Sequence, residues 1–431
     1  MQSDDPQFIC PHLAEGPTDT DIFVWFTGHN KDLNWSCRAC AGNYPTAPAS
    51  WVPATPAWLA KNRDEVYWDG IRGAPAVKHR ESGLSFANRD LELGDEWGKF
   101  VDARPVFGSP SCWLALSSKG KLIRLSTQEP RIIHSLTLED LGFEITAETG
   151  LCLSPDNKFA VLTQASGPNA ALINVETGKT IKKLSRGDYH CENSHFPVGF
   201  FRQKGKTYLI AASDWNRLDI YDPATGEMLS ERGPTRYENK ERPPRYLDYF
   251  HGGLSISPDH QLIVDNGWVW HPVGGIRSWS LQAWMDNKWE SEDGPTSRAL
   301  VWRDYYWDGP VCWIDSVTLA YWGWGRDDEW LVPAVVLVDV RDGKQLKWFP
   351  GPKVRPPAVW PPRRLAESFF FDHYLFAVHD DEGTTVWDIN TGERLLTDPQ
   401  VKPWRYHPDS TEFLEITPAG FRVSTLITPH A

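Results

Sequence analysis

The chain has 431 residues, 41% hydrophobic and 23% charged, with a formal net charge of −13. That is enough apolar material for a large core, and 67 Gly and Pro residues together with 13% aromatics make it turn-rich and well supplied for packing, which excludes a disordered chain, a collagen and a coiled coil. The acidic balance argues against nucleic acid as the main partner, because no cationic excess is available to displace counterions.

The first element is a hairpin, with strands at Ile22–Phe26 and Leu33–Cys37 around the turn Gly28-His29-Asn30. Two ligand-type pairs flank it: Cys10-Pro-His12 before, and Cys37-Arg-Ala-Cys40 at its end. Thiolate and imidazole are good zinc ligands, and a hairpin that brings two short pairs together makes a closed tetrahedral site. Cys10, His12, Cys37 and Cys40 are therefore read as a structural zinc site over residues 1–41. The competing reading is two reduced pairs with no metal. Residues 42–100 form a Pro-rich strap.

From about residue 101 a hairpin recurs. It appears as Asn174-Val-Glu-Thr-Gly178, Asp222-Pro-Ala-Thr-Gly226, Asp339-Val-Arg-Asp-Gly343 and Asp388-Ile-Asn-Thr-Gly392. The terminal glycine supplies the positive φ that a tight strand–strand turn requires. Upstream of several sits a second turn, as in Ser154-Pro-Asp156, Ser257-Pro-Asp259 and His407-Pro-Asp409, each ahead of an apolar run. A unit of strand, turn, strand, hairpin, strand every 40 to 50 residues is the pattern of a propeller blade. Blades are expected at about 104–138, 146–186, 195–232, 251–292, 308–350, 366–398 and 403–428, with Pro-rich or charged insertions at 233–249 and 350–364.

These units resemble blades of the WD40-like β-propeller superfamily. Trp387-Asp388 stands where that family's Trp-Asp pair closes a blade, and Tyr221-Asp222 is a variant of it. No regular Gly-His precedes each blade, so the resemblance is to the wider superfamily. It covers roughly residues 100–431 and implies an all-β, seven-bladed propeller of four-stranded antiparallel blades. It also implies that a strand from the other terminus completes the last blade, with Ile22–Phe26 the best candidate.

Aligning the blades on their innermost strands places Glu148, His195, His251, Asp308 and Glu367 at equivalent positions. Innermost strands line the central channel, so these five are candidates for a binding or acid–base site at its mouth. Strand entries are also often polar by chance. Cys112, Cys152 and Cys312 fall inside strands and read as small buried residues.

Of 23 tryptophans, eleven fall between Trp268 and Trp330. Most are expected to fill the gaps between blades. Trp322, Trp324 and Trp330, beside a glycine-marked loop, and Trp360, between prolines, are candidates for a partner-binding surface. No hydrolase elbow, phosphate loop or zinc-protease motif is present. The chain has no 18-residue apolar run and no secretory leader, and its seven cysteines do not suggest a disulfide framework. The expected protein is a cytoplasmic, non-catalytic scaffold that binds a protein or peptide. The alternatives are a metal-dependent enzyme at the channel mouth and a carbohydrate-binding propeller that uses exposed tryptophans.

Overall fold

In a computed structural model, residues 76–237, 239–270, 272–325, 331–352, 368–379 and 382–429 are described throughout. Nearer the N-terminus, residues 8–9, 11, 22–27, 32–37, 52–53, 68–69 and 71–72 are described. The chain divides into two compact units. One comprises Met1–Lys78, Trp322–Val336 and Lys347–Lys353; the other comprises His79–Tyr321, Leu337–Leu346 and Val354–Ala431.

The fold is an all-β propeller of seven antiparallel blades. Innermost strands are Phe100–Pro105, Thr149–Leu153, Val198–Gln203, Phe250–Ile256, Val311–Trp313, Ser368–Phe371 and Arg405–His407. Six blades carry four strands; in the third, the single bridge Tyr221↔Met228 takes the place of the fourth. The hairpin glycines adopt the conformation the turns demand, with φ of +71° at Gly178, +73° at Gly226, +74° at Gly343 and +75° at Gly392. The Ser-Pro-Asp turns are closed by their own side chains. Ser154 Oγ donates to Asp156 Oδ1 at 2.6 Å and accepts from Phe159 N at 3.0 Å, and Ser257 repeats this with Asp259 and Leu262.

The last blade is completed from the N-terminal side, but not by Ile22–Phe26. Strand Ser85–Glu92 pairs antiparallel with Gly420–Ile427 over eight residues, from Ser85↔Ile427 to Glu92↔Gly420. Part of the expected strap is thus a blade strand. Strand Ile22–Thr27 instead pairs with Asp32–Cys37 from Ile22↔Cys37 to Thr27↔Asp32, in a separate sheet with Phe8–Ile9 and Val52–Pro53. The hairpin was expected; its role in the propeller is corrected. Of the zinc set, Cys10, His12 and Cys40 lie outside the described residues, and only the backbone of Cys37 is described. The fourth blade also runs further than expected. The helical segments Leu281–Asp286 and Glu290–Asp293 interrupt it, and its outer strand is Arg298–Asp304.

The core lies between blades. One cluster joins Val161, Leu172, Phe200, Ile210, Ile263 and Trp279, all buried. The helical insertion is locked to blade 3 by ions: Arg232 Nη1 lies 2.5 Å from Asp219 Oδ1, and Nη2 pairs with Glu292 Oε1, with all three side chains essentially buried. Such a set is costly to break, because removing one member strands the others without water.

Candidate functional site

A cavity of about 400 Å³ opens along the axis, lined by residues of every blade's innermost strand or of the loop leading into it, together with Thr163 and Asn266 from second strands. Its polar groups form two poles.

The first is built on Asp102, 1% exposed. Oδ1 accepts from Trp404 Nε1 and Ala103 N, both at 2.8 Å. Oδ2 accepts from Leu151 N at 2.8 Å and Arg405 Nη2 at 3.0 Å, with Arg104 Nη2 3.7 Å away. Burial pushes this carboxyl's pKa up, but Arg405, Arg104 and the Leu151 amide outweigh it and hold the pKa below the ordinary value. One ionised carboxylate therefore ties blades 7, 1 and 2 together.

The second pole is Asp308, 3% exposed, with φ of +50°. Oδ1 accepts from Gly253 N at 2.7 Å and Oδ2 from His195 N at 3.0 Å, which links blades 3, 4 and 5. Burial raises its pKa more than the His195 ring, the two amides and Arg186 lower it. The Gly-Gly pair here is a steric requirement. A Cβ on Gly252 would lie 2.3 Å from the Asn266 carbonyl oxygen and 2.6 Å from Asp308 Oδ1. Asn266, 2% exposed, also lines the cavity; its Nδ2 donates to Gly309 O at 3.0 Å, while Oδ1 has no hydrogen-bond partner among the described residues.

Of the five expected mouth residues, Glu148, His195 and Asp308 line this cavity. His251 does not. A register shift between Phe250 and Gly253 breaks the equivalence with Glu148, and the side chain is buried with Nδ1 2.5 Å from Asp265 Oδ2. Among the described residues its Nε2 has no partner, and no hydroxyl or thiol is paired with this His–Asp couple. Glu367 lies outside the described residues. Among the described residues, no three His, Cys, Asp or Glu side chains are gathered to hold a metal. The strand cysteines suit a passive role: Cys112 is buried, and burial raises the pKa of the Cys152 and Cys312 thiols.

The loop carrying His195 is pinned from inside by Arg186, 3% exposed. Its guanidinium donates to Gly167 O at 3.1 Å, His195 O at 2.9 Å, Cys191 O at 2.6 Å and Ser194 O at 2.7 Å.

Beside the cavity stands a ladder of rings. Trp307 stacks on Trp268 (5.1 Å, 19°), Trp268 on Phe250 (4.1 Å, 9°) and Phe250 on Tyr189 (5.8 Å, 21°). His190 meets Trp270 edge-on at 4.7 Å. The inner rings are buried, whereas Tyr189 is 48% and Trp270 43% exposed. Trp215 joins Phe250 at 4.4 Å, and through Tyr246 the rings continue to the exposed Tyr237. That extension rests on the 233–249 insertion, which lies down on blade 3 where Asn216 Nδ2 donates to Thr235 O and Leu247 O. Tyr189 and Trp307 lie in loops entering innermost strands, and Trp215 and Trp270 lie between second and third strands. Because strands alternate in direction, these connections all emerge on one face, the face where Glu148, His195 and Asp308 begin their strands.

The expected surface at Trp322 and Trp324 is corrected. Both are buried: Trp322 donates Nε1 to Pro352 O at 2.8 Å, and Trp324 stacks on Trp348 at 5.2 Å. The loop glycines beside them suggested exposure, but the rings point into packing. Trp330 and Trp360 lie outside the described residues. Trp270 sat in the same tryptophan-rich stretch, and the Trp-Val-Trp alternation of 268–270 followed by His271-Pro272 was a usable turn signal; Tyr189 and Tyr237 carried none.

No protein-family model matches the chain, and comparison with curated proteins gives no match. Function is therefore read from the geometry.

Proposed function

We propose that the protein is a non-catalytic, cytoplasmic propeller that binds a protein or peptide partner through the aromatic face around Tyr189, Trp270 and Tyr237. The observation that carries this is the stacked ladder from Trp307 to Tyr189, which ends in exposed rings. Rings held rigid from below lose little entropy on binding and make effective interface anchors. The net charge of −13 suits a partner with a basic surface. The resemblance to WD40-like propellers points the same way by analogy alone. Exposed Trp270 leaves sugar binding as the second reading. The metal-enzyme reading gains nothing from a mouth where His251 is turned inward.

Peptides selected from a displayed random library on the wild-type protein should lose about tenfold or more in affinity with Trp270→Ala, and again with Tyr189→Ala. Selected peptides that bind both variants as well as wild type would place the interface elsewhere. Binding of oligosaccharides alone on a glycan array would replace the peptide reading.

The Cys10, His12, Cys37 and Cys40 set remains part of the proposal as a structural zinc site. Elemental analysis of protein purified without a metal-binding tag should find one zinc per chain, lost in Cys37→Ser. A zinc-free wild type would remove the site.

A further inference from the structure

We infer that the axial cavity is a binding site for a small ligand bearing a primary ammonium group, received by the Asp308 carboxylate and Asn266 Oδ1, with the Glu148 carboxylate adding negative charge to the cavity. The inference does not rest on the aromatic-face reading.

Asn266 carries the first part of the argument. It is 98% buried and lines the cavity, yet its side-chain oxygen meets no donor among the described residues. A buried acceptor left unmade costs free energy, so a donor delivered through the cavity is favoured there. Asn266 adjoins Asp308 directly: its side-chain amide donates to Gly309 O, and its backbone carbonyl oxygen accepts from Asp308 N at 3.4 Å.

Asp308 carries the second part. It is a buried carboxylate that bonds two backbone amides but makes no ion pair among the described residues. Its counter-charges are the His195 ring and the buried Arg186, neither of which forms an ion pair with it, so they offset its burial only in part. Its raised pKa, caused by burial, shows the same deficit from the proton's side. Glu148, half-buried, lines the same cavity from blade 2 and adds a second negative charge to it.

A primary ammonium has three donors and one positive charge, which suits an unpartnered acceptor beside a buried carboxylate in a cavity that holds a further carboxylate. An anionic ligand fits less well, because Arg405 and Arg104 are already engaged with Asp102. Val198, Leu254, Val311 and Phe369 supply apolar lining for the body of the ligand. The volume, about 400 Å³, lies within the range of small-molecule sites.

The test is calorimetric titration of the full chain with butylammonium and benzylammonium, alongside the isosteric butanol-type and benzyl alcohols. The amines should bind at millimolar concentration or tighter, with the alcohols at least about tenfold weaker. Glu148→Gln should weaken amine binding several-fold and Asp308→Asn about tenfold or more. Asparagine tolerates positive φ, and circular dichroism checks that Asp308→Asn is folded. If that variant does not fold, Glu148→Gln and the amine–alcohol contrast decide. The inference is overturned if no amine binds, if alcohols bind as well as amines, or if folded variants bind amines like wild type.

Discussion

Leu91→Ala is expected to destabilise the propeller by about 2–5 kcal/mol, the range for emptying a buried leucine site. Leu91 is 6% exposed and packs with Phe100, Leu414, Phe421 and Val423, so it fastens the closing strand to the first and last blades. The same joint has a backbone counterpart. Gly420, opposite Glu92 at the end of the pairing, has φ of +150°, and a Cβ there would lie 2.3 Å from the Leu91 carbonyl oxygen. Gly420→Ala must push the two strands apart, so it should also lower the unfolding midpoint. An unpaired edge on Gly420–Ile427 is a template for association, so both variants should aggregate on heating more readily than wild type. Urea unfolding followed by tryptophan fluorescence gives the free energies. A loss under about 0.5 kcal/mol for Leu91→Ala, the size of an ordinary surface change, would mean the ring does not depend on this strand.

Asp102→Ala is expected to cost about 3 kcal/mol at pH 7, the lower end of the range for breaking a buried ion pair, because Arg405 keeps 19% side-chain exposure and some access to water. The loss removes the carboxylate to which Arg405 Nη2, Trp404 Nε1 and the Leu151 amide donate. Asp102 has a folded pKa below its unfolded value of 3.8. Its contribution is therefore present above that value and is lost as pH falls through the folded pKa. Wild type and variant should differ most near neutrality, and their stabilities should converge as the pH falls below about 4. Denaturant midpoints measured from pH 7 down to pH 3 check this. A gap that stays constant with pH would mean that the side chain acts by packing and not by charge.

How the sequence relates to these features differs from element to element. The Thr-Gly and Asp-Gly hairpins and the Ser-Pro-Asp turns were legible because each is decided within a few residues, by a positive φ or by a side chain bonding its own backbone. The closing strand was not. Ser-Phe-Ala-Asn-Arg-Asp-Leu-Glu is an edge strand with only Leu91 buried, whereas Ile-Phe-Val-Trp-Phe at 22–26 carries a far stronger apolar signal. An outer strand is specified mainly by what it pairs with, over 300 residues away. At the cavity, Glu148, His195 and Asp308 were legible as polar residues at strand entries. Asn266 and Asp102 were not, since one lies within a second strand and the other where the blade pattern was weakest. His251 misled because a backbone irregularity, invisible in composition, rotated it inward. For the aromatic residues, abundance was legible and exposure was not: Trp268 and Trp270 are two residues apart, yet one is 2% and the other 43% exposed.

The pairing of Ser85–Glu92 with Gly420–Ile427 also sets a schedule for the protein's birth. A strand made early must wait until over 300 further residues have been translated, an interval on the order of tens of seconds at ordinary ribosome speeds. Six blades can assemble as they emerge, each from contiguous sequence, but the ring cannot close until Gly420–Ile427 has emerged. During that interval the nascent chain carries an unpaired edge at one end and an unclaimed strand at the other. The polar face of Ser85–Glu92, which made it inconspicuous in the sequence, keeps that waiting strand from pairing with the wrong neighbour.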